Sequence, residues 1–207
     1  MIKQIPNILT LGRFVLTVIF LFMILYSPPQ YDGDEQPFPG FLDIAFVLFV
    51  IAGLTDLVDG AVARKLNVTS KFGRMMDPLA DKVLVCGAFI CFAIIGEPKL
   101  FDLNPTAMAV IQWSIAGIII AREVYVTILR HIAEARGINF AATSSGKIKM
   151  FLQSFAIGTI VIKMTHVQTA AWGTVTKLAT VWLTVIVTVL SGIGYVSKAS
   201  NILKADD

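Results

Sequence analysis

Asp56-Leu-Val-Asp59-Gly60-Ala-Val-Ala63-Arg64, followed after eight intervening residues by Gly73-Arg-Met-Met-Asp77-Pro-Leu-Ala-Asp81, sets the architecture of the chain. Asp56 and Asp59 are three residues apart, and Asp77 and Asp81 are four apart. On a helix either spacing puts both carboxylates on one face. Long apolar runs flank the stretch, Phe41 to Leu54 before it and Val83 to Ile95 after it. The four acids therefore stand at the facing ends of two expected membrane helices joined by a short basic loop. Ionisable groups at membrane depth are costly and commonly functional. A lone Asp at a helix end is ordinarily a cap or a solvated interface residue. Two pairs at helical spacing, with Gly60, Ala63 and Gly73 between them, ask for more. Four converging carboxylates repel unless cations hold them, and oxygen-only ligands favour hard ions such as Mg²⁺, Mn²⁺ or Ca²⁺. Arg64 adds a fixed cation suited to phosphate. Gly60 and Gly73 read either as room for a ligand or as plain helix packing.

Working outward, the 207 residues are 56% hydrophobic and only 15% charged, with a mean hydropathy of +0.77. That excludes an ordinary soluble domain. The modest net charge of +3 carries no nucleic-acid signature. Cys86 and Cys91 lie five apart in one apolar segment, so they face different sides of a helix and form neither a disulfide nor a thiolate metal site. Met1 to Gly12 reads as a short interfacial amphipathic helix. It leads into a first span, Phe14 to Tyr26, which lacks a cleavage site after it and is expected to stay as an anchor. Ser27 to Gly40, with four prolines and no Lys or Arg, is a polar loop. Further spans are expected from Phe41 into the aspartates, Asp77 to Ile95 with Pro78 in the first turn, Thr106 past Ala121, Met150 to Ile162, and Leu178 to Val196. Arg136 to Lys149 and Lys163 to Trp172 read as polar segments between spans. The expectation is an all-α integral membrane protein of one domain, 1–207, with six transmembrane helices plus the N-terminal interfacial helix.

Six spans put both termini on one side. That side then collects 14 of the 17 Lys and Arg residues, leaving Lys99, Lys163 and Lys177 on the other. The positive-inside rule makes the Asp-rich end and both termini cytoplasmic, in the cell (inner) membrane. His131 and His166 approach no metal-ligand spacing, His166 reading as solvated. Trp113, Trp172 and Trp182 read as packing or interface residues.

Asp56-x2-Asp59-Gly60-x2-Ala63-Arg64-x8-Gly73-x3-Asp77-x3-Asp81 resembles, at all eight fixed positions, the signature of the CDP-alcohol phosphotransferase family. The resemblance implies a membrane enzyme that transfers a phosphate-linked group from a CDP-alcohol to an acceptor hydroxyl and releases CMP. It implies a pair of Mg²⁺ or Mn²⁺ ions held by Asp56, Asp59, Asp77 and Asp81, with Asp56 and Asp77 bridging and Asp59 completing one site. Asp81 lies nearest the acceptor, as general base or as a ligand only. Thr55, Gly60, Ala63, Arg64 and Gly73 form the expected CDP pocket. Asn7 to Arg13, the run Ala121-Arg122-Glu123, Arg130 and Gly146-Lys147-Ile148-Lys149 resemble the branch of the family that uses CDP-diacylglycerol and glycerol 3-phosphate, giving phosphatidylglycerophosphate. Met150 stands where that branch commonly has a threonine. Arg122, Arg130, Lys147 and Lys149 are then candidates for the acceptor phosphate, or else anchors snorkelling to lipid headgroups. Arg122 and Arg130, eight apart, share a helix face, and Glu123 is placed to hold an arginine. The family resemblance also implies a homodimer. Other acceptors (inositol phosphate, serine, phosphatidylglycerol), a divalent-cation transporter and a lipid-binding scaffold are the rivals. The transporter leaves Arg64 beside a cation path without a role.

Overall fold

The apolar runs fold as helices because a backbone in hydrocarbon must satisfy its own hydrogen bonds. A computed structural model describes residues 5–27, 40–66, 71–101, 103–136, 144–167 and 171–204. Within these, the side chains of 5–7, 56–66, 71–77, 134–135, 144–145, 147 and 197–204 lie outside the description. The described residues form six helices and no strand: α1 Ile5–Leu25, α2 Phe41–Leu66, α3 Lys71–Ile95, α4 Pro105–Ala135, α5 Ser144–Thr165 and α6 Ala171–Lys204.

Among the described residues five stretches, in α1, α3, α4, α5 and α6, are long and apolar enough to cross a membrane. In α2 the described apolar part is Phe41–Thr55, and the helix backbone runs on through the Asp56 to Arg64 stretch to Leu66. The expected interfacial helix is not set apart, since residues 5–12 are the first turns of α1. The other helices outrun their apolar cores. α3 begins at Lys71, so Pro78 sits inside the helix rather than in its first turn. There it removes one backbone donor and one i→i−4 bond. α5 begins at Ser144, which makes Gly146 to Lys149 helical, and α6 begins at Ala171. The polar loops expected over residues 28–39 and 67–70 lie outside the described residues.

Local signals fix several ends. Asn104 caps α4: its Oδ1 accepts the Ala107 N–H at 2.7 Å, with Pro105 at the first helical position. Gly96, at φ +77, ends α3, and the Glu97 N–H reaches back to the Phe92 carbonyl at 2.8 Å.

α1 packs on α2 and α3, α4 lies against α3 and α6, and α5 joins α6 to α2 and α3. The core is aromatic and aliphatic: Phe20, Phe49, Ala88, Phe89, Phe92, Ile119, Ile157, Ile160 and Val181 are all buried. Phe20 of α1 meets Phe49 of α2 with ring centroids 5.3 Å apart. Gly87 lets α1 come close to α3, since a Cβ there would stand 2.6 Å from Leu21 Cδ1. Trp113, Trp172 and Trp182 face outward at 40% exposure or more, as interface residues would. Cys86 and Cys91 are both free thiols.

Contacts between helices fix their directions: Arg13 near the start of α1 meets Asp81 of α3, Asp43 at the start of α2 meets His166 past the end of α5, Lys149 near the start of α5 meets Glu123 of α4, and Arg122 and Arg130 of α4 meet Ser191 and Tyr195 far along α6. The end of α2, the starts of α3 and α5, and the far ends of α4 and α6 therefore share one end of the bundle. That is the end where the sequence put its candidate site. The opposite end carries Asp43, Glu97, Lys163, His166 and Lys177. His166 is not merely solvated: its Nε2 lies 2.6 Å from Asp43 Oδ1, joining α5 to α2.

Candidate functional site

Asp56 and Asp59 lie in α2 one turn apart, and Asp77 and Asp81 lie in α3 one turn apart. Both pairs thus have the helical backbone that their spacing requires. The side chains of Asp56, Asp59, Gly60, Ala63, Arg64, Gly73, Asp77 and Lys147 lie outside the described residues. Among the described residues no group of three or more His, Cys, Asp or Glu comes together. Of the four acids only Asp81 is described. Its carboxylate is one-third exposed, and Oδ1 accepts a hydrogen bond from Arg13 Nη1 at 3.1 Å.

Arg13 is almost wholly buried, at 2% exposure, on the inner face of α1. The sequence marks it only as the last residue of the Asn7 to Arg13 run, with no partner indicated. Its partner is 68 residues away, so no local pattern announces the pair. A buried guanidinium needs a counter-charge, and Asp81 supplies one. Thr55 donates its hydroxyl to the Ile51 carbonyl at 2.7 Å, within its own helix.

A second polar cluster lies between α4, α5 and α6. Arg122, Glu123 and Lys149 are each at most 9% exposed. Glu123 Oε1 accepts from Arg122 Nη1 at 3.3 Å and from Lys149 Nζ. One carboxylate therefore holds two cations. Arg122 Nε also donates to Ser191 Oγ at 3.1 Å, and Arg130 Nη2 donates to Tyr195 Oη at 3.1 Å. Both guanidinium groups lie over the Tyr195 ring, 5.4 and 5.8 Å from its centroid. The two arginines do share a face, as their spacing requires. Three of the four acceptor-phosphate candidates, Arg122, Arg130 and Lys149, thus lie in one cluster. For Arg122 and Lys149 burial excludes the snorkelling alternative.

Among the described residues the cluster carries three cations against one carboxylate. Arg122 Nη2 and Arg130 Nε are buried without a hydrogen-bond partner among the described residues. Burying an unmatched charge costs several kcal/mol, so such a site favours an anion.

Sequence reasoning missed Ser191 and Tyr195. The signal was present: Thr184, Thr188, Ser191 and Tyr195 repeat at helical spacing along α6.

The family model for CDP-alcohol phosphatidyltransferase matches residues 3–190. The chain is 35% identical over 206 residues to the CDP-diacylglycerol–glycerol-3-phosphate 3-phosphatidyltransferase of Bacillus subtilis (strain 168), covering 99% of each chain. It is 30% identical over 198 residues to a probable phosphatidylglycerophosphate synthase of Mycobacterium tuberculosis, covering 96% of this chain and 82% of the relative. A Haemophilus influenzae protein with the same name as the Bacillus one is 29% identical over 202 residues, covering 97% of this chain and 95% of the relative. With the aspartate signature intact, and with the match running across nearly all of a polytopic helical chain, this protein belongs to the CDP-alcohol phosphatidyltransferase family of membrane transferases.

Proposed function

We propose that this chain transfers the phosphatidyl group of CDP-diacylglycerol to glycerol 3-phosphate, giving phosphatidylglycerophosphate and CMP. The observation that carries the choice of acceptor is the buried, cation-rich cluster in which Arg122 Nη2 has no hydrogen-bond partner among the described residues. It suits a phosphorylated acceptor and leaves serine with no use for the excess positive charge. The names of the relatives agree with this reading.

In the reaction, an acceptor hydroxyl oxygen attacks the lipid-side phosphorus of the donor pyrophosphate. A new P–O bond forms, the bond to the CMP oxygen breaks, and CMP leaves with the electron pair. The hydroxyl proton goes to Asp81, held by Arg13. Arg122, Arg130 and Lys149, with Lys147 nearby in sequence, take the acceptor phosphate. Thr55, Gly60, Ala63, Arg64 and Gly73 form the CDP pocket, the small residues admitting the nucleotide close to the backbone and Arg64 pairing with a phosphate. Asp56, Asp59, Asp77 and Asp81 fit a pair of divalent ions, Mg²⁺ or Mn²⁺, because every donor is a carboxylate oxygen and each pair is one helical turn apart. Bound there, such ions would neutralise charge building on the pyrophosphate.

The whole chain, 1–207, acts as one catalytic domain with six crossings, α2 being the sixth. Its site and both termini face the cytoplasm of the cell membrane. A homodimer, implied by the family, is tested by light scattering in detergent against the 22.5 kDa chain mass.

Purified protein with CDP-diacylglycerol and Mg²⁺ or Mn²⁺ tests the activity. CMP release is expected with glycerol 3-phosphate and to be abolished by EDTA. Release only with inositol phosphate, serine or phosphatidylglycerol would overturn the acceptor. Arg122→Ala is expected to raise the glycerol 3-phosphate KM about tenfold or more, the effect of one charged hydrogen bond, and to spare the donor KM.

A further inference from the structure

Thr184, Thr188, Ser191 and Tyr195 follow one another along α6 at spacings of four, three and four. Such positions line one helix face. All four are at most 3% exposed, so this polar stripe points inward. In a helix otherwise rich in Val, Leu and Ile, a buried row of hydroxyls needs partners. Thr184 Oγ1 donates to the Leu152 carbonyl of α5 at 3.1 Å. Ser191 Oγ accepts from Arg122 Nε while donating to the Thr188 carbonyl at 2.9 Å. The stripe ends at Tyr195, whose hydroxyl accepts from Arg130 and whose ring lies beneath both arginines.

We propose that Tyr195 is a positioning residue that holds Arg122 and Arg130 together as a two-guanidinium clamp for the acceptor's phosphomonoester. This rests on the reading of the cluster as the acceptor site. Two guanidinium groups repel each other when no anion lies between them. Glu123 reaches only Arg122 of the two. The negative face of the Tyr195 ring attracts both cations at once. Its hydroxyl fixes the direction of Arg130, and Ser191 fixes that of Arg122. The clamp is thus kept assembled between turnovers, and the acceptor does not have to order two long side chains on arrival. The ring supplies most of this effect and the hydroxyl a smaller, directional part.

The test uses the full chain in detergent with CDP-diacylglycerol, glycerol 3-phosphate and Mn²⁺. Tyr195→Phe keeps the ring and is expected to raise the glycerol 3-phosphate KM about threefold to fivefold, the effect of one hydrogen bond. Tyr195→Leu removes ring and hydroxyl and is expected to raise it about twentyfold. In both, the donor KM stays within about twofold. In an Arg130→Gln background, removing the Tyr195 hydroxyl is expected to add nothing, because the bond it makes is already gone. If Arg122→Ala and Arg130→Gln both leave the acceptor KM unchanged, the acceptor reading itself falls, and the clamp with it. If those variants raise it and the Tyr195 variants do not, or if donor and acceptor KM rise together, only the role of Tyr195 falls. Should Tyr195→Leu fail to fold, Tyr195→Phe, which lacks a single oxygen, still decides between these outcomes.

Discussion

At the scale of single residues, the pair Arg13 and Asp81 joins stability to chemistry. Arg13 is buried and Asp81 keeps a third of its side-chain surface. A buried guanidinium that loses its counter-charge destabilises a fold more than one that never had it. Asp81→Asn is expected to stop turnover, with at least a thousandfold fall in CMP release, while donor binding persists. The same variant should also lose about 2 kcal/mol of stability, less than a fully buried pair because Asp81 is partly solvated. Arg13→Gln combined with Asp81→Asn should be no less stable than Asp81→Asn alone. Thermal inactivation in detergent reads this cycle, and strictly additive losses would show that the pair is not coupled. The aspartates were legible in the sequence because carboxylates in an apolar chain are rare and their spacing is helical. Arg13 was legible only as the close of the Asn7 to Arg13 resemblance, since its pairing depends on a residue on another helix. Tyr195 was hidden for a related reason: an aromatic in a membrane helix ordinarily packs or sits at the interface.

At the scale of helices, hydropathy located all six elements but drew most of them short. Apolar composition stops where hydrocarbon stops, whereas the backbone ladder continues as long as its own hydrogen bonds are satisfied. The first turns of α3, α5 and α6 each contain a glycine and polar residues, so hydropathy leaves them outside the spans. The error matters at Lys149. In a loop it is a mobile cation, but in the second turn of α5 it is buried and tied to Glu123 of α4. Glu123 is therefore the joint between α4 and α5 and the only carboxylate in the cluster among the described residues. Glu123→Gln should raise the excess positive charge there by one. It is expected to lower stability by about 3 kcal/mol, as removal of one member of a buried ionic group does. Added glycerol 3-phosphate, an anion for the same cations, should then raise the melting temperature more in Glu123→Gln than in the parent protein. Differential scanning fluorimetry with and without the ligand checks both. An equal ligand shift in the two proteins would remove Glu123 from the acceptor site.

At the scale of the whole molecule, the two ends of the bundle differ in how they treat charge. The site end holds Asp56 to Asp81 in sequence and the Arg122 cluster in space. The opposite end has three lysines, and two of these are withdrawn from the surface. Lys177, at 4% exposure, lies 3.7 Å from Glu97, and Lys163, at 8%, donates to the Val167 carbonyl. Only Lys99 is exposed there. By sequence the Lys and Arg residues divide 14 against three between the two ends. Since Lys and Arg are retained on the cytoplasmic side, the site end should face the cytoplasm, where nucleotide-activated substrates are made. Two exposed positions test this on a background lacking Cys86 and Cys91: Lys99→Cys at one end, Arg136→Cys at the other. A membrane-impermeant maleimide applied to intact cells is expected to label Lys99→Cys and to reach Arg136→Cys only after permeabilisation. The reverse pattern would turn the protein over in the membrane and place the donor site on the wrong side for its nucleotide. Labelling of both positions in sealed cells would contradict the single crossing between them and remove α4 as a span.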